Sequence, residues 1–337
     1  MDIVLLPETM GYKANLHSHT TDSDGYFTPE ELKEFYRGHG YSILAYTDHL
    51  YMRDRTALND ENFVALNGYE NNIFDHMGKG IESKCYHLNF YSPKPDQVGM
   101  VGITEYFYKY YMRDKTREEI EKSPVLNGFL PSDHSVAVAN EAIRQAKEQG
   151  YLVIYNHPQY NLHTDSDYIG LRGLTGVEVM NYNNYVNGCI ENDVAYERML
   201  RAGQRAFPIA GDDNHNLCKK NRAFDSFGGF NVMYPKKLDY ESVFECLKTG
   251  NFYASEGALI RGVSVCGDKV TVGAENAAYI NLSTNGRAYC MELAKEKALT
   301  SATFSLPEDI KYFRITIADE RGKKAYTRAY FTDEFNK

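Results

Sequence analysis

Short apolar runs alternate with longer amphipathic segments along the first 250 or so residues of the chain. The apolar runs are about four to eight residues long, which is typical of buried strands. The predicted strands lie at 41–46, 63–70, 85–91, 151–155, 176–180 and 207–210. The predicted helices lie at 28–38, 135–150, 193–202 and 240–249. This order of elements predicts an α/β fold with a mainly parallel sheet.

The pattern changes near residue 254, beyond which short β-rich runs follow one another without a predicted helix. Turn signals such as Thr284-Asn285-Gly286 separate these runs, which is typical of a small all-β sandwich. We therefore predict two directly packed domains, an α/β domain at 1–255 and a small β-sandwich-like domain at 256–337. The segment 96–132 is rich in tyrosine and charge and is too long for an ordinary connection. We predict that this helical excursion either packs on the outside of the first domain or covers its mouth as a lid.

Histidines and carboxylates collect at the ends of the predicted strands or, for His87, within one. His17 and His19 are two positions apart, so on an extended segment both rings project from the same face, and Asp24 follows on the next loop. The remaining residues of this kind are His49, Glu70, His87, His157, Asp213 and His215. Each alone is equally compatible with a turn or a strand end. Together they include six of the ten histidines, and buried imidazoles and carboxylates are costly unless they are paired or metal-bound. The set therefore predicts a divalent metal cluster.

These motifs resemble those of the PHP (polymerase and histidinol phosphatase) family of the amidohydrolase superfamily. The matching segments cover about residues 14–255 and are Leu16-His17-Ser18-His19-Thr20, Ser23-Asp24-Gly25, Tyr46-Thr47-Asp48-His49, Gly68-Tyr69-Glu70, His87, Asn156-His157-Pro158 and Gly211-Asp212-Asp213-Asn214-His215. The resemblance implies a distorted (βα)7 barrel whose carboxyl-end mouth holds two or three divalent ions. The excursion between His87 and His157 is longer than the family pattern, and no polymerase domain flanks the motifs.

The resemblance also implies a distribution of ligands. His17, His19, Glu70 and Asp213 would hold a first ion. Glu70 would bridge to a second ion held by His87 and His157, and Asp24, His49 and His215 would hold a third. Asp48 would orient His49. Glu70, Asp213 and His215 are the residues that we expect to take part in catalysis.

The implied activity is hydrolysis of a phosphoester, as a phosphatase or phosphodiesterase acting on a small organophosphate through a metal-activated water. Nitrogen and oxygen ligands suit Zn, Mn or Fe, and the sequence does not choose among them. Arg53 and Arg222 are candidates for holding the phosphate. Two alternatives stay open: a metal-dependent hydrolase of an amide or lactone, and a binding protein whose barrel is vestigial.

Composition and charge narrow the class of protein. Of the 337 residues, 37 are basic and 46 acidic, giving a net charge of −9, so a stable nucleic-acid or anionic-membrane partner is not expected. No apolar run approaches the roughly 20 residues of a membrane span, and the first residues lack the pattern of a signal peptide. The six cysteines form no Cys-x-x-Cys pair, so we expect reduced thiols in a cytoplasmic protein. The sequence does not give the oligomeric state.

Overall fold

The computed structural model describes residues 3–74, 83–189, 193–217 and 224–335, which form a mixed α/β structure with an extensive sheet. The strands β1 to β17, in chain order, are Ile3–Leu6, Tyr12–Asn15, Tyr41–Tyr46, Val64–Phe74, Cys85–Tyr91, Leu152–Tyr155, Gly176–Asn181, Phe207–Gly211, Phe230–Met233, Phe252–Ser255, Leu259–Cys266, Lys269–Thr284, Tyr289–Leu293, Leu299–Ser305, Tyr312–Asp319, Lys324–Thr327 and Tyr330–Phe331. The helices α1 to α8 are Pro29–Arg37, Glu105–Met112, Arg117–Glu121, Val136–Glu148, Asp165–Tyr168, Tyr182–Val186, Asp193–Arg201 and Tyr240–Thr249.

The helices begin where local sequence signals place them. Thr28 accepts a hydrogen bond from the backbone N–H of Glu31 at the start of α1, and the Glu31 side chain caps Thr28 in return. Pro29 occupies the first turn, where its missing N–H costs nothing. Ser135 caps α4 in a similar way, and the apolar face of that helix is buried. The helices predicted at 28–38 and 135–150 are confirmed.

Strands β2 to β8 follow one another in space. Parallel pairs join β2 to β3, β3 to β4, β6 to β7 and β7 to β8. The residues that follow β8 lie beside those that follow β2. The backbone N–H of Asp213 donates to the carbonyl of His17 at 2.9 Å, and the backbone N–H of His19 donates to the carbonyl of Asn214 at 3.1 Å. The carboxyl ends of the parallel strands therefore meet at one mouth, where ligands bind in folds of this class.

Strand β5 departs from the parallel pattern, since it runs antiparallel to both β4 and β6. The long strand β4 and β5 pair over Gly68–Phe74 and Cys85–Tyr91, which places His87 opposite Asn72. Because Glu70 and Asn72 are two positions apart, their side chains leave the same face of the sheet. His87 therefore faces Glu70 from within its strand and not from a strand end.

The part of the chain after β10 is built from strands in the residues that the structure describes. The long strand β12 pairs with β11, β13, β14 and β15, all antiparallel. Strand β10 pairs with both β9 and β16, and β1 pairs with β11, so the first strand of the chain lies beside the C-terminal β part. The domain boundary at 255/256 stays a prediction.

One apolar core is shared between the α/β part and the C-terminal β part. It joins Tyr36, Tyr41 and Phe63 to residues such as Ile280 and Phe313, all of them nearly or fully buried. A second core packs α4 and α7 against β4 to β7 and also includes aromatic residues of β15, β16 and β17. The two parts therefore bury a common apolar surface.

The segment 96–132 contains the two short helices α2 and α3, and its being an inserted excursion stays a prediction. Its first residues are not a surface loop, because Met100, Val101 and Ile103 are fully buried. The Tyr69 hydroxyl donates to the Val101 carbonyl at 2.8 Å and fixes this start to β4. Over the described ranges, none of the helices has the length and apolar character that a membrane crossing requires.

Candidate metal centre

Four ligand-type atoms converge at the mouth formed by β2, β4 and the residues after β8. The Nε2 atom of His17 lies 3.3 Å from Glu70 Oε2 and 3.2 Å from Asp213 Oδ1. The Nε2 atom of His19 lies 3.3 Å and 2.9 Å from the same two oxygens. Donor atoms about 2.0–2.1 Å from one tetrahedral ion are about 3.3 Å apart, so the spacing matches that of a metal cage.

Two further groups adjoin this cage and share residues with it. Glu70 Oε1 lies 3.0 Å from His87 Nδ1 and 3.3 Å from His157 Nε2. Asp24 lies 3.5–3.7 Å from each of three imidazole nitrogens, those of His19, His49 and His215. The nine residues predicted as metal ligands are thus brought together. That they bind metal, and that Glu70, Asp213 and His215 act in catalysis, stays a prediction.

The cage contains imidazole nitrogens that a cation would satisfy. Among the residues that the structure describes, no hydrogen-bond partner serves His17 Nε2 or His19 Nδ1, and both atoms are buried. A neutral His17 would aim a lone pair at the carboxylates of Glu70 and Asp213, which is repulsive unless a positive charge lies between them. The donor set therefore fits a divalent ion.

The electrostatics of the centre favour the same conclusion. Burial tends to lower the pKa of His17, but the carboxylates of Asp213, Glu178 and Glu70 prevail and raise it well above its usual value. Burial opposes the rise for His19 too, yet Asp213 and Glu70 raise its pKa to about 10. Conversely, burial would raise the pKa of Glu70, while His17 and other imidazoles hold it well below its usual range. The carboxylates thus hold positive charge at this position.

Local backbone geometry turns two of these side chains toward the centre. Asp213 has a φ of +52° and His157 a φ of +25°, in the left-handed region that non-glycine residues rarely adopt. Such conformations cost on the order of 1–3 kcal/mol each and cluster at functional sites. Gly25 serves the loop of Asp24, because a Cβ at that position would lie 2.3 Å from the carbonyl oxygen of His19.

Glu178 is a buried carboxylate that the sequence analysis did not assign. Its Oε1 lies 2.7 Å from His17 Nδ1, and its Oε2 accepts hydrogen bonds from the His157 backbone N–H and the Asn181 side chain. Other amides contact the ligands too, since Asn72 lies 3.1 Å from His49 Nδ1. The available signal was a single carboxylate inside the apolar run 176–180, where an unpaired charge would be costly.

Asp48 does not orient His49 as predicted. Its carboxylate accepts hydrogen bonds from the Thr20 backbone N–H at 2.7 Å and from the Ser23 hydroxyl at 2.9 Å. Arg55 adds an ion pair to Asp48 at 3.4 Å and a shorter one to Asp22. Asp48 therefore anchors the loop that carries Asp24. Adjacent residues at a strand end point in different directions, which is why neighbourhood in the sequence misled.

Phosphate binding by Arg53 and Arg222 stays a prediction. Arg53 is half-buried, and its guanidinium lies 4.7 Å from the centre of the Tyr51 ring. Arg222 lies outside the described residues. Tyr111 of α2 is a different addition to the mouth, because its ring stacks on that of His49 at 5.0 Å.

A further histidine cluster lies beside the centre. His134 and His163 face each other with their Nε2 atoms 2.8 Å apart, and the Tyr155 hydroxyl contacts His163 Nδ1 at 2.5 Å. The nearby Asp167 pairs with Lys84 at 2.7 Å. These polar groups satisfy one another, so we assign the cluster no metal.

No family model matches the chain, and no curated protein sequence does. Among solved structures, it is similar to a two-domain protein from Bacteroides vulgatus ATCC 8482 that contains a predicted PHP-like metal-dependent phosphoesterase. That pair is 14% identical, with 97% of this chain and 98% of the other covered and a TM-score of 0.44.

Two other solved structures are similar over a smaller part of this chain. A proposed metal-dependent phosphoesterase from Bifidobacterium adolescentis ATCC 15703 is 18% identical, covering 69% of this chain and 95% of the other with a TM-score of 0.41. An amidohydrolase from Chromobacterium violaceum, with bound sulfate and no metal, is 15% identical, covering 60% and 87% with a TM-score of 0.36. At these identities and TM-scores the likeness does not establish a fold or an activity for this chain.

Proposed function

We propose that the chain is a metal-dependent phosphoesterase that hydrolyses a small organophosphate, built on a distorted (βα)7 barrel. The observation that supports it most is the cage of His17 Nε2, His19 Nε2, Glu70 Oε2 and Asp213 Oδ1, with neighbouring atoms 2.9–3.3 Å apart. The ring of strands β2 to β8 supports the barrel. The intact cage argues against a vestigial site.

The residues of the centre would hold two or three ions close together. Glu70 presents Oε2 to the first site and Oε1 to His87 and His157, and His19 presents Nε2 to the first site and Nδ1 toward Asp24. Ligands shared between these groups would hold the ions close enough to stabilise both the attacking and the leaving oxygen of a displacement reaction. Such ions supply an acidified water, with a pKa toward roughly 7, and neutralise phosphate oxygens.

The chain's own residues would orient these groups. Asn156 donates to Glu70 Oε1 at 2.8 Å, and Asn181 donates to Asp213 Oδ2 at 3.2 Å, which fixes the rotation of both carboxylates. Fixed carboxylates keep the ligand atoms in place while substrate enters. We further propose that Arg53 or Arg222 holds the phosphate.

The test is reconstitution of the purified protein. Chelated protein should lose hydrolysis of p-nitrophenyl phosphate and regain it with Zn, Mn or Fe, and bis(p-nitrophenyl) phosphate separates diester from monoester preference. p-Nitroacetanilide and a simple lactone are the comparison substrates, because amide and lactone hydrolysis is the alternative. Turnover of either carbonyl substrate without turnover of the phosphoesters, or activity that chelation leaves unchanged, would contradict the proposal.

A further inference from the structure

Glu178 lies on β7, between strands that carry metal-centre residues. It is fully buried, and each of its carboxylate oxygens faces donors. Oε1 lies 2.7 Å from His17 Nδ1, while Oε2 accepts from the His157 backbone N–H at 2.9 Å and from Asn181 Nδ2 at 3.0 Å. One carboxylate thus serves three donors that belong to three different strand ends.

The contact with His17 determines where that ring carries its proton. A carboxylate oxygen only accepts hydrogen bonds, so the Nδ1 atom at 2.7 Å must be the protonated nitrogen. In the neutral ring, the form that binds a metal, the Nε2 atom is then left with a lone pair, and it is this atom that faces Glu70 and Asp213. We propose that Glu178 is a positioning residue that selects the metal-binding tautomer of His17. This inference rests on the proposed function through its metal site.

The same carboxylate also holds two other parts of the cage. The N–H that it accepts from His157 belongs to a residue with a φ of +25°, so the hydrogen bond helps to hold a strained ligand. Asn181, its third donor, also donates to Asp213 Oδ2 at 3.2 Å. Glu178 therefore acts on ligands that come from β2, β6 and β8.

The neighbouring backbone leaves room for this arrangement. A Cβ atom on Gly211 would lie 2.8 Å from Glu178 Oε1 and 2.9 Å from the Cβ of His17. Any side chain at position 211 would push the carboxylate away from the imidazole. The glycine that ends β8 is therefore explained by the Glu178–His17 contact.

Substitution by glutamine tests the role without changing the size of the side chain. The glutamine oxygen can serve only one side, and His157 together with Asn181 presents two donors there. Its NH2 group would then face His17 Nδ1, which becomes an acceptor and moves the proton to Nε2. A proton on Nε2 competes with the metal. Glu178→Asp keeps two acceptor oxygens and should keep the original tautomer.

The experiment compares zinc affinity and the visible spectrum of the Co(II)-substituted protein in wild type, Glu178→Gln, Glu178→Asp and the control Glu256→Gln. Glu256 accepts a hydrogen bond from the Tyr326 hydroxyl at 2.9 Å. Glu178→Gln should weaken the tightest-bound zinc by about 10–100-fold and alter the Co(II) spectrum, while Glu178→Asp restores part of the affinity and Glu256→Gln changes neither.

Glu178→Gln with wild-type affinity and spectrum would overturn the inference. If Glu178→Gln does not fold, Glu178→Asp becomes the test. A Co(II) spectrum of Glu178→Asp that differs from the wild-type spectrum overturns the inference as well. A wild type that binds zinc but hydrolyses no phosphoester would refute the proposed function and leave this test standing. A wild type that binds no divalent metal would overturn both.

Discussion

Glu70 is the single residue on which the candidate centre depends most, because its two oxygens face different imidazoles. Oε2 lies 3.3 Å from both His17 and His19, and Oε1 lies 3.0 Å from His87. The side chain is 1% exposed. Loss of this carboxylate would therefore disturb two adjoining ion sites at once.

We expect Glu70→Gln to lose more than a single equivalent of bound metal, since one amide oxygen cannot serve both sites. Hydrolysis of p-nitrophenyl phosphate should fall in parallel. Metal content by elemental analysis and initial rates are the measurements. Glu141→Gln, at a partly exposed residue of α4 that pairs with Arg144, is the matched control and should match wild type. Equal metal content in Glu70→Gln and Glu141→Gln would contradict the bridging role of Glu70.

Arg55 is the partner of two carboxylates, Asp22 on the loop that leads to Asp24 and Asp48, which anchors that loop. Its side chain is 12% exposed, and Asp48 beneath it is 1% exposed. Burial raises the pKa of Asp48, and Arg55 opposes that rise. Removing one member of a buried ion pair leaves the other charge uncompensated.

Arg55→Met should therefore lower the free energy of unfolding by about 3 kcal/mol and loosen the loop of Asp24. Denaturant titration at neutral pH gives the first quantity, and the number of bound metal ions tests the second. Arg37→Met, which removes exposed pairs with Glu34 and Asp60, should cost about 0–1 kcal/mol. Similar losses in the two variants would show that Arg55 is an ordinary surface arginine.

The candidate metal ligands could be predicted from the sequence, but the residues that hydrogen-bond to them and fix their orientation could not. Few residue types bind divalent metals, and histidine and glutamate are among them. His17 and Glu70 could therefore be recognised as candidate ligands from the sequence alone. Glu178 and Asn181 carry no motif, and their role arises only when β7 lies between β6 and β8. Hydrogen bonds between distant segments depend on the register of the sheet, which the sequence pattern does not fix.

At the scale of elements, helix α2 brings an aromatic ring over the metal centre. Tyr111 stacks on His49 with 27° between the ring planes. Beyond the helix, Lys115 donates to the backbone carbonyl of Asp22 at 2.6 Å, which ties the excursion to the loop of Asp24. The position agrees with the lid interpretation of 96–132, whose role in substrate binding stays a prediction.

Tyr111→Ala should reduce kcat/KM for p-nitrophenyl phosphate by about two- to tenfold, because aromatic stacking is worth about 0.5–1.5 kcal/mol. Ethyl phosphate, which has no ring, should respond less, and metal content should not change. Tyr106→Ala, on the same helix and 57% exposed, is the control. An equal effect on both substrates would leave Tyr111 only a packing role.

The pattern of elements was largely predictable, whereas their directions were not. Apolar periodicity gave strands at 85–91 and 176–180, but it contains no information on whether a strand runs parallel to its neighbours. The antiparallel β5 was therefore missed. The excursion was recognised by its length, yet Met100 and Ile103 at its start are fully buried, because β4 and α4 cover them.

At the scale of the whole molecule, the shared core makes the C-terminal β part a support of the metal-binding part. Phe313 of β15 is fully buried and lies 5.4 Å from the ring of Tyr330 in that core. The same core includes Tyr36, whose hydroxyl donates to Asp212 beside the predicted ligand Asp213. Damage to the β part should therefore reach the centre.

Phe313→Ala should cost about 3–5 kcal/mol through lost burial and a cavity. We expect metal release, measured with a zinc indicator, and loss of secondary structure, measured by circular dichroism, to occur in one thermal transition. Tyr289→Ala, at a position 71% exposed, should leave both unchanged. Two separate transitions in Phe313→Ala would indicate that the parts unfold independently.

The change of pattern near residue 254 predicted a β-rich end of the chain but not how that end is attached. Composition shows where strands replace helices, whereas a shared core requires that apolar faces from both parts meet. Strand β1 illustrates the limit, because Ile3–Leu6 pairs with Leu259–Cys266 at the far end of the chain. Pairing over such a distance leaves no local sequence signal.

The pairing of β1 with β11 also bears on how the protein is made in the cell. A ribosome synthesises the chain from its N-terminus, so the segments that carry His17 to His215 emerge before β11 to β17 exist. Until then β1 has no partner and the shared core has no cover. We expect the nascent chain to need a chaperone over this interval, and the candidate metal centre to form only after β11 to β17 have been made.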